Sequence, residues 1–204
     1  MMDEMKDIKD MKKAEIFSLL VRTGRELVMQ KGAEFLTARK LSEASGCSVG
    51  TIYNQFANMD NFIIVQNMLT LDELYEAMSQ IVPSQNSYKN LVRYLDLYVD
   101  WVLHHTNLWF LLFNFHLYRD GRNFPADYLR KFLKISQIWQ KDFEASLRGL
   151  SIKERRVLRQ VLMLSMFSLS SFLSTQKTSK ISRRNICKMF LNTYLAGVKS
   201  LCRA

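Results

Sequence analysis

The chain has 204 residues, with 29 Lys and Arg against 19 Asp and Glu, 48% hydrophobic residues, 7 Gly and 2 Pro. So few Gly and Pro exclude collagen-like, linker-rich and turn-dense sheet architectures, and predict long helices with few loops in one large or two small domains. The net charge of +10 points to an acidic partner, yet residues 1–62 balance 9 basic against 9 acidic side chains, so the excess lies in residues 63–204.

The first predicted helix covers residues 14–31, where Ile16, Leu20, Thr23, Leu27 and Val28 form an amphipathic stripe that Gly32 stops. Thr37 caps a short second helix to about Ser45, with Leu41 and Ala44 inward, and Gly46 breaks it. Ser48 caps a third to about Gln55, with Ile52 and Phe56 inward. Asn58 or Asp60 opens a long fourth helix to about Ile81, before Pro83. The fifth spans about Ser87–His105 and gathers Tyr94, Tyr98, Trp101 and His105 on one face, with Lys89, Arg93, Asp96 and Asp100 opposite. Thr106 is read as the cap of a sixth helix to about Tyr118. Pro125 presets a seventh that ends before Gly149. Ser151 and Glu154 have the spacing of a capping box for the eighth, and a ninth fills about Arg183–Leu201 after a polar loop.

Cys47, Cys187 and Cys202 are odd in number and widely spaced, which reads as reduced thiols in a cytoplasmic protein. The opening MMDEMKDIKDMKK has no apolar signal-peptide segment. The apolar run at 161–173 is shorter than the ~20 residues that cross a bilayer, so no membrane partner is expected.

The informative run is Leu36–Phe56, LTARKLSEASGCSVGTIYNQF. Two short helices meet at a tight Gly-containing turn, and the second opens on the small residues Ser48, Gly50 and Thr51 before Tyr53, Asn54 and Gln55. That layout is either a packed helical hairpin or a helix-turn-helix whose second helix enters the DNA major groove. Amide side chains can pair with adenine edges and Thr can touch a thymine methyl.

Over Ile16–Phe62 the chain resembles the N-terminal domain of the tetracycline-repressor (TetR) family of bacterial transcriptional regulators. The resemblance rests on Lys31-Gly32, Leu36-Thr37, Leu41, Ala44, Gly46-x-Ser48-x-Gly50-Thr51-Ile52-Tyr53-x-x-Phe56 and Asn58-x-Asp60. It implies an all-α fold of about nine helices: a three-helix helix-turn-helix DNA-binding domain at 1–58 and a helical ligand-binding and dimerisation domain at 59–204. It also implies that Thr37 and Arg39 contact phosphate, and that Ser48, Gly50, Thr51, Tyr53 and Asn54 meet bases or phosphates. Val49 and Met59 lie in regions where many members carry Lys. Arg22, Arg25, Arg39 and Lys40 are candidates for one basic face.

Thirteen of the 24 aromatic residues fall in 94–143. They are read either as bundle core or as the lining of an effector cavity. The cavity reading selects Tyr94, Tyr98, Trp101, His105, Trp109, Phe113 and His116. No metal site is expected, since His104 and His105 are adjacent and no Cys or paired carboxylate lies nearby. No cofactor is assigned. Arg119/Arg122 and Arg130/Lys131/Lys134 are either an anionic head-group site or a solvated face.

The eighth helix is apolar on two sides, with Leu158, Leu162, Leu169 and Phe172 on one and Met163 and Phe167 on the other. The ninth is similar, with Ile186 and Phe190 against Leu191, Leu195 and Val198. Both are either core or, as the resemblance implies, the interface of a two-fold homodimer. No nucleophile–base pair or phosphate loop is present, so no enzyme is expected. The leading reading is a homodimeric repressor on a palindromic operator of double-stranded DNA, released by a small-molecule effector. The alternative is an effector-independent helix-turn-helix module for DNA or protein.

Overall fold

The computed structural model describes residues 2–118, 124–175 and 183–201. They form nine α-helices: α1 Met2–Lys31, α2 Ala38–Ser45, α3 Val49–Phe56, α4 Met59–Ser79, α5 Ser87–His104, α6 Thr106–Tyr118, α7 Ala126–Ala145, α8 Ile152–Thr175 and α9 Arg183–Leu201. No strand occurs among the described residues. The Arg119/Arg122 cluster and the side chain of His116 lie outside the described residues.

Several elements depart from the sequence reading. α1 begins twelve residues earlier than predicted, because 2–13 contain neither Gly nor Pro and include three Met and four Lys, which are good helix formers. A 3-10 turn at Ala33–Phe35 separates α1 from α2. Ala44 is exposed rather than inward. Thr106 is the first residue of α6, and its hydroxyl donates toward the Val102 and Leu103 carbonyls at 3.2 and 3.1 Å, satisfying the end of α5. The capping box forms as expected, with the Ser151 amide donating to Glu154 at 2.7 Å and the Glu154 amide to Ser151 Oγ at 3.3 Å.

The chain packs as two units. The first holds residues 1–70 with 107–128. Leu20, Val28, Leu41, Ile52, Phe56 and Phe62 share its core with Leu108 and Leu111 of α6. Asn107 Nδ2 also donates to the Met29 carbonyl at 3.0 Å. α1 and α4 cross closely at Gly24, where an added Cβ would stand 2.5 Å from Phe62 Cζ. Beside the crossing, Arg25 Nη1 donates to Thr70 Oγ1 at 3.2 Å, and Gln66 Nε2 to the Val21 carbonyl at 2.8 Å.

The second unit holds residues 71–106 with 129–204. Here α5 packs on α8 and α9 and buries Leu91, Tyr94, Leu95, Tyr98, Val99 and Trp101. On α8, Leu162, Ser170 and Leu173 face inward. Phe172 is 56% exposed and Leu164 63% exposed, so Phe172 does not share the buried side with Leu162. It joins Val157, Val161 and Leu164 in an exposed row at four-, three- and eight-residue steps. By length and composition α8 is apolar enough to cross a membrane, a test that core helices also pass, yet only 17% of its most apolar window is buried.

Candidate nucleic-acid interface

The helix-turn-helix is assembled from short-range hydrogen bonds that its sequence encodes. Thr37 is the N-cap of α2 and accepts from the Lys40 amide at 3.2 Å. Gly46 closes α2 with φ 72, a left-handed conformation that suits Gly. In the turn, Ser42 Oγ donates to the Cys47 carbonyl at 2.7 Å and the Cys47 amide to Ser45 Oγ at 3.2 Å. Ser48 then caps α3, accepting from the Thr51 amide at 3.1 Å, and its Oγ lies 2.9 Å from Thr51 Oγ1.

The apolar side of α3 is pinned by burial. Ile52 and Phe56 are buried, and the Phe56 ring stacks on Phe17 at 5.1 Å and meets Phe62 edge-on at 4.7 Å. With that side fixed, the opposite side faces outward. Thr37, Arg39, Ser48, Gly50, Tyr53 and Asn54 are exposed, and Thr51 is half-buried. Tyr53 retains 42% of its surface. Gln55 is turned inward, its Nε2 donating to the Lys13 carbonyl at 3.0 Å, so it braces α3 against α1.

Gly50 has no packing reason to be Gly: an added Cβ would meet only Ser48 Oγ, at 3.7 Å. A helical Gly costs about 0.5–1 kcal/mol relative to Ala. A bare backbone retained at that cost suits close approach of something outside the protein.

Two cations on α2 share one carboxylate. Arg39 Nε lies 3.1 Å from Glu43 Oε1, and Lys40 Nζ lies 2.9 Å from Glu43 Oε2, with the Arg39 side chain 86% exposed. These hydrogen bonds, Lys40's foremost, hold the Glu43 carboxyl below its ordinary range. Sequence reading missed Glu43, although its three- and four-residue spacing from Lys40 and Arg39 is the signal. Arg25 does not join a basic face with Arg39 and Lys40, since its guanidinium turns toward α4 at Gln66 and Thr70.

The aromatic set divides between the two units. In the second, Tyr94, Tyr98 and Trp101 are buried, and the Trp101 ring lies 4.5 Å from that of His105. In the first, Trp109 is buried and stacks on Phe113 at 5.1 Å. A cavity of about 20 Å³ in the second unit is lined by Tyr94 with Leu91, Trp139, Leu162, Met166 and Phe190. It has room for about one water and shares only Tyr94 with the predicted lining. Lys131 pairs with Asp72, and Lys134 Nζ lies 5.8 Å from the centre of the Tyr75 ring.

Residues 20–64 match the sequence model of a family described as bacterial regulatory proteins, tetR family. No curated protein matches the chain. Among solved structures, the TetR-family regulator PfmR from Thermus thermophilus aligns with TM-score 0.60 at 11% identity, over 87% of this chain and 97% of that one. A TetR regulator from Rhodococcus sp. RHA1 aligns with TM-score 0.65 at 12% identity, over 90% and 97%. FadR from Bacillus subtilis, solved with stearoyl-CoA, aligns with TM-score 0.55 at 15% identity, over 89% and 97%. At these identities the likeness is one of fold.

Proposed function

We propose that this chain, a tetR-family regulatory protein by its residues 20–64 and by its all-helical fold, binds a palindromic operator as a homodimer and represses transcription until a small effector releases it. Family and fold support a DNA-binding regulator. The division of labour follows the sequence reading: DNA binding at 1–58, effector binding and dimerisation at 59–204.

The observation that carries the reading is the outward side of α3. Ile52 and Phe56 anchor the helix while Gly50, Tyr53 and Asn54 are exposed. A groove-reading helix needs that combination of a rigid back and a reachable front. Ser48 has a structural duty as cap, and Thr51 is tied to it, so both position the helix as well as facing DNA.

The homodimer is favoured by the exposed row Val157, Val161, Leu164 and Phe172 on α8 and by the apolar groove of α9 at Ile186, Met189 and Phe190. Exposed apolar surface of this kind is ordinarily covered by a partner, and a second copy covers both helices by symmetry. The effector is favoured by the stearoyl-CoA held by a protein of similar fold.

A gel shift on the chain's own promoter region tests the reading. Wild type should retard the fragment, and Tyr53→Ala should weaken binding by about 1–3 kcal/mol with an unchanged melting temperature. Arg39→Ala should weaken binding to all sequences alike and reduce the salt slope by about one. Unchanged binding in both variants would overturn the assignment of α3.

A further inference from the structure

Two asparagines are buried among the described residues, and their amides are treated in opposite ways. Asn90, in the second unit, uses its whole amide. Its Nδ2 donates to the Ser84 carbonyl at 2.8 Å and to Asp142 Oδ1 at 3.1 Å, and its Oδ1 accepts from the Ser84 amide and hydroxyl, both at 2.8 Å. Asn67, in the first unit, is fully buried, and neither Nδ2 nor Oδ1 has a hydrogen-bond partner among the described residues.

An amide sealed from water without a partner destabilises the fold, and an aliphatic side chain of the same shape relieves that cost. Phe62, Gln66 and Thr70 belong to the side of α4 at the crossing with α1, where Gln66 and Thr70 find partners from α1. Asn67 stands about 100° around the helix from Gln66. Its neighbours three residues before and four after, Ile64 and Leu71, are apolar and buried. A fully buried side chain with donor and acceptor both idle, beside the apolar Ile64 and Leu71, has the form of a recognition group whose partner is not part of the chain.

We propose that Asn67 is the polar anchor of the effector site, and that the effector presents a donor and an acceptor on one carbon atop an apolar body, as a primary amide or an undissociated carboxylic acid does. This rests on the effector-responsive reading above. Asn67 Nδ2 donates to the ligand carbonyl, the ligand N–H or O–H donates to Asn67 Oδ1, and the two bonds close a planar ring. A ligand with only an acceptor satisfies half of the amide. The buried Oε1 of Gln66, also without a partner among the described residues, is a separate acceptor on a different side of the helix.

The test uses octanamide and its isostere 2-nonanone, which replaces the NH₂ by a methyl and accepts but does not donate. In titrations followed by tryptophan fluorescence and melting temperature, wild type should bind octanamide about tenfold more tightly than 2-nonanone, the range expected for one added hydrogen bond and a relieved donor. Asn67→Leu should melt at or above wild type without ligand and should lose the amide preference. Equal affinities in wild type, no binding of either compound, or an amide preference that survives in Asn67→Leu would each overturn the proposal. So would a lower melting point for ligand-free Asn67→Leu, because Asn67 would then already have a partner such as a buried water. Promoter binding is measured separately. Wild type that binds octanamide selectively but retards no DNA refutes the regulator reading alone, and wild type that retards DNA without amide selectivity refutes the anchor alone.

Discussion

At Gly50 the protein forgoes helix stability at a position where a side chain would fit. Gly50→Ala should stabilise the free protein by about 0.5–1 kcal/mol, seen as a higher melting temperature, while weakening promoter binding in a gel shift. Improved stability with unchanged binding would show that nothing approaches the backbone there. Glu43 acts in the reverse sense by holding Arg39 and Lys40. Glu43→Gln should strengthen DNA binding and steepen its salt dependence, because two cations on α2 are then released toward phosphate. The exposed pairs themselves add little to stability, so the melting temperature should barely move.

Among the elements, the crossing of α1 and α4 tolerates least. Gly24→Ala would drive a methyl into the buried Phe62 ring and should cost about 1–3 kcal/mol by overpacking, measured by denaturant unfolding. Phe62→Leu in the same chain should recover part of that loss by vacating the space. α1, α2, α3 and the α8 cap were legible because their signals are local: the stripe Ile16, Leu20, Thr23 and Val28, the caps Thr37 and Ser48, the break at Gly46 and the Ser151–Glu154 pair. The Thr106 hydroxyl's bonds to the preceding turn were not legible, because an N-cap and a hydroxyl bonded backward begin from the same residue type. Ala44 was misread because small residues fit either side of a helix.

For the whole molecule, the exposed row on α8 sets the expectation of self-association. Phe172→Asp should shift the protein from dimer to monomer in light scattering, because the dimer would otherwise seal an unpaired carboxylate. Since Phe172 is exposed within one chain, the helical content should remain. A wild-type monomer at micromolar concentration would remove the dimer from the reading. Losing the dimer should also weaken operator binding far more than any single contact, because both half-sites are then no longer held at a fixed spacing.

The number of helices, the caps Thr37, Ser48 and Ser151 and the helix-turn-helix were determined by the sequence itself, since each depends on residues within a few positions of one another. Tertiary structure alone decided which side of each helix is covered. It placed α6 in the core with α1, exposed Phe172 while burying Leu162, and turned Arg25 and Gln55 inward. It also separated two asparagines that look alike in sequence: Asn90 bonds to Ser84 and Asp142, while the Asn67 amide has no hydrogen-bond partner among the described residues. Periodicity shows that a side is apolar, but its cover comes from residues distant along the chain, and the hydrophobic effect that pairs them is non-directional.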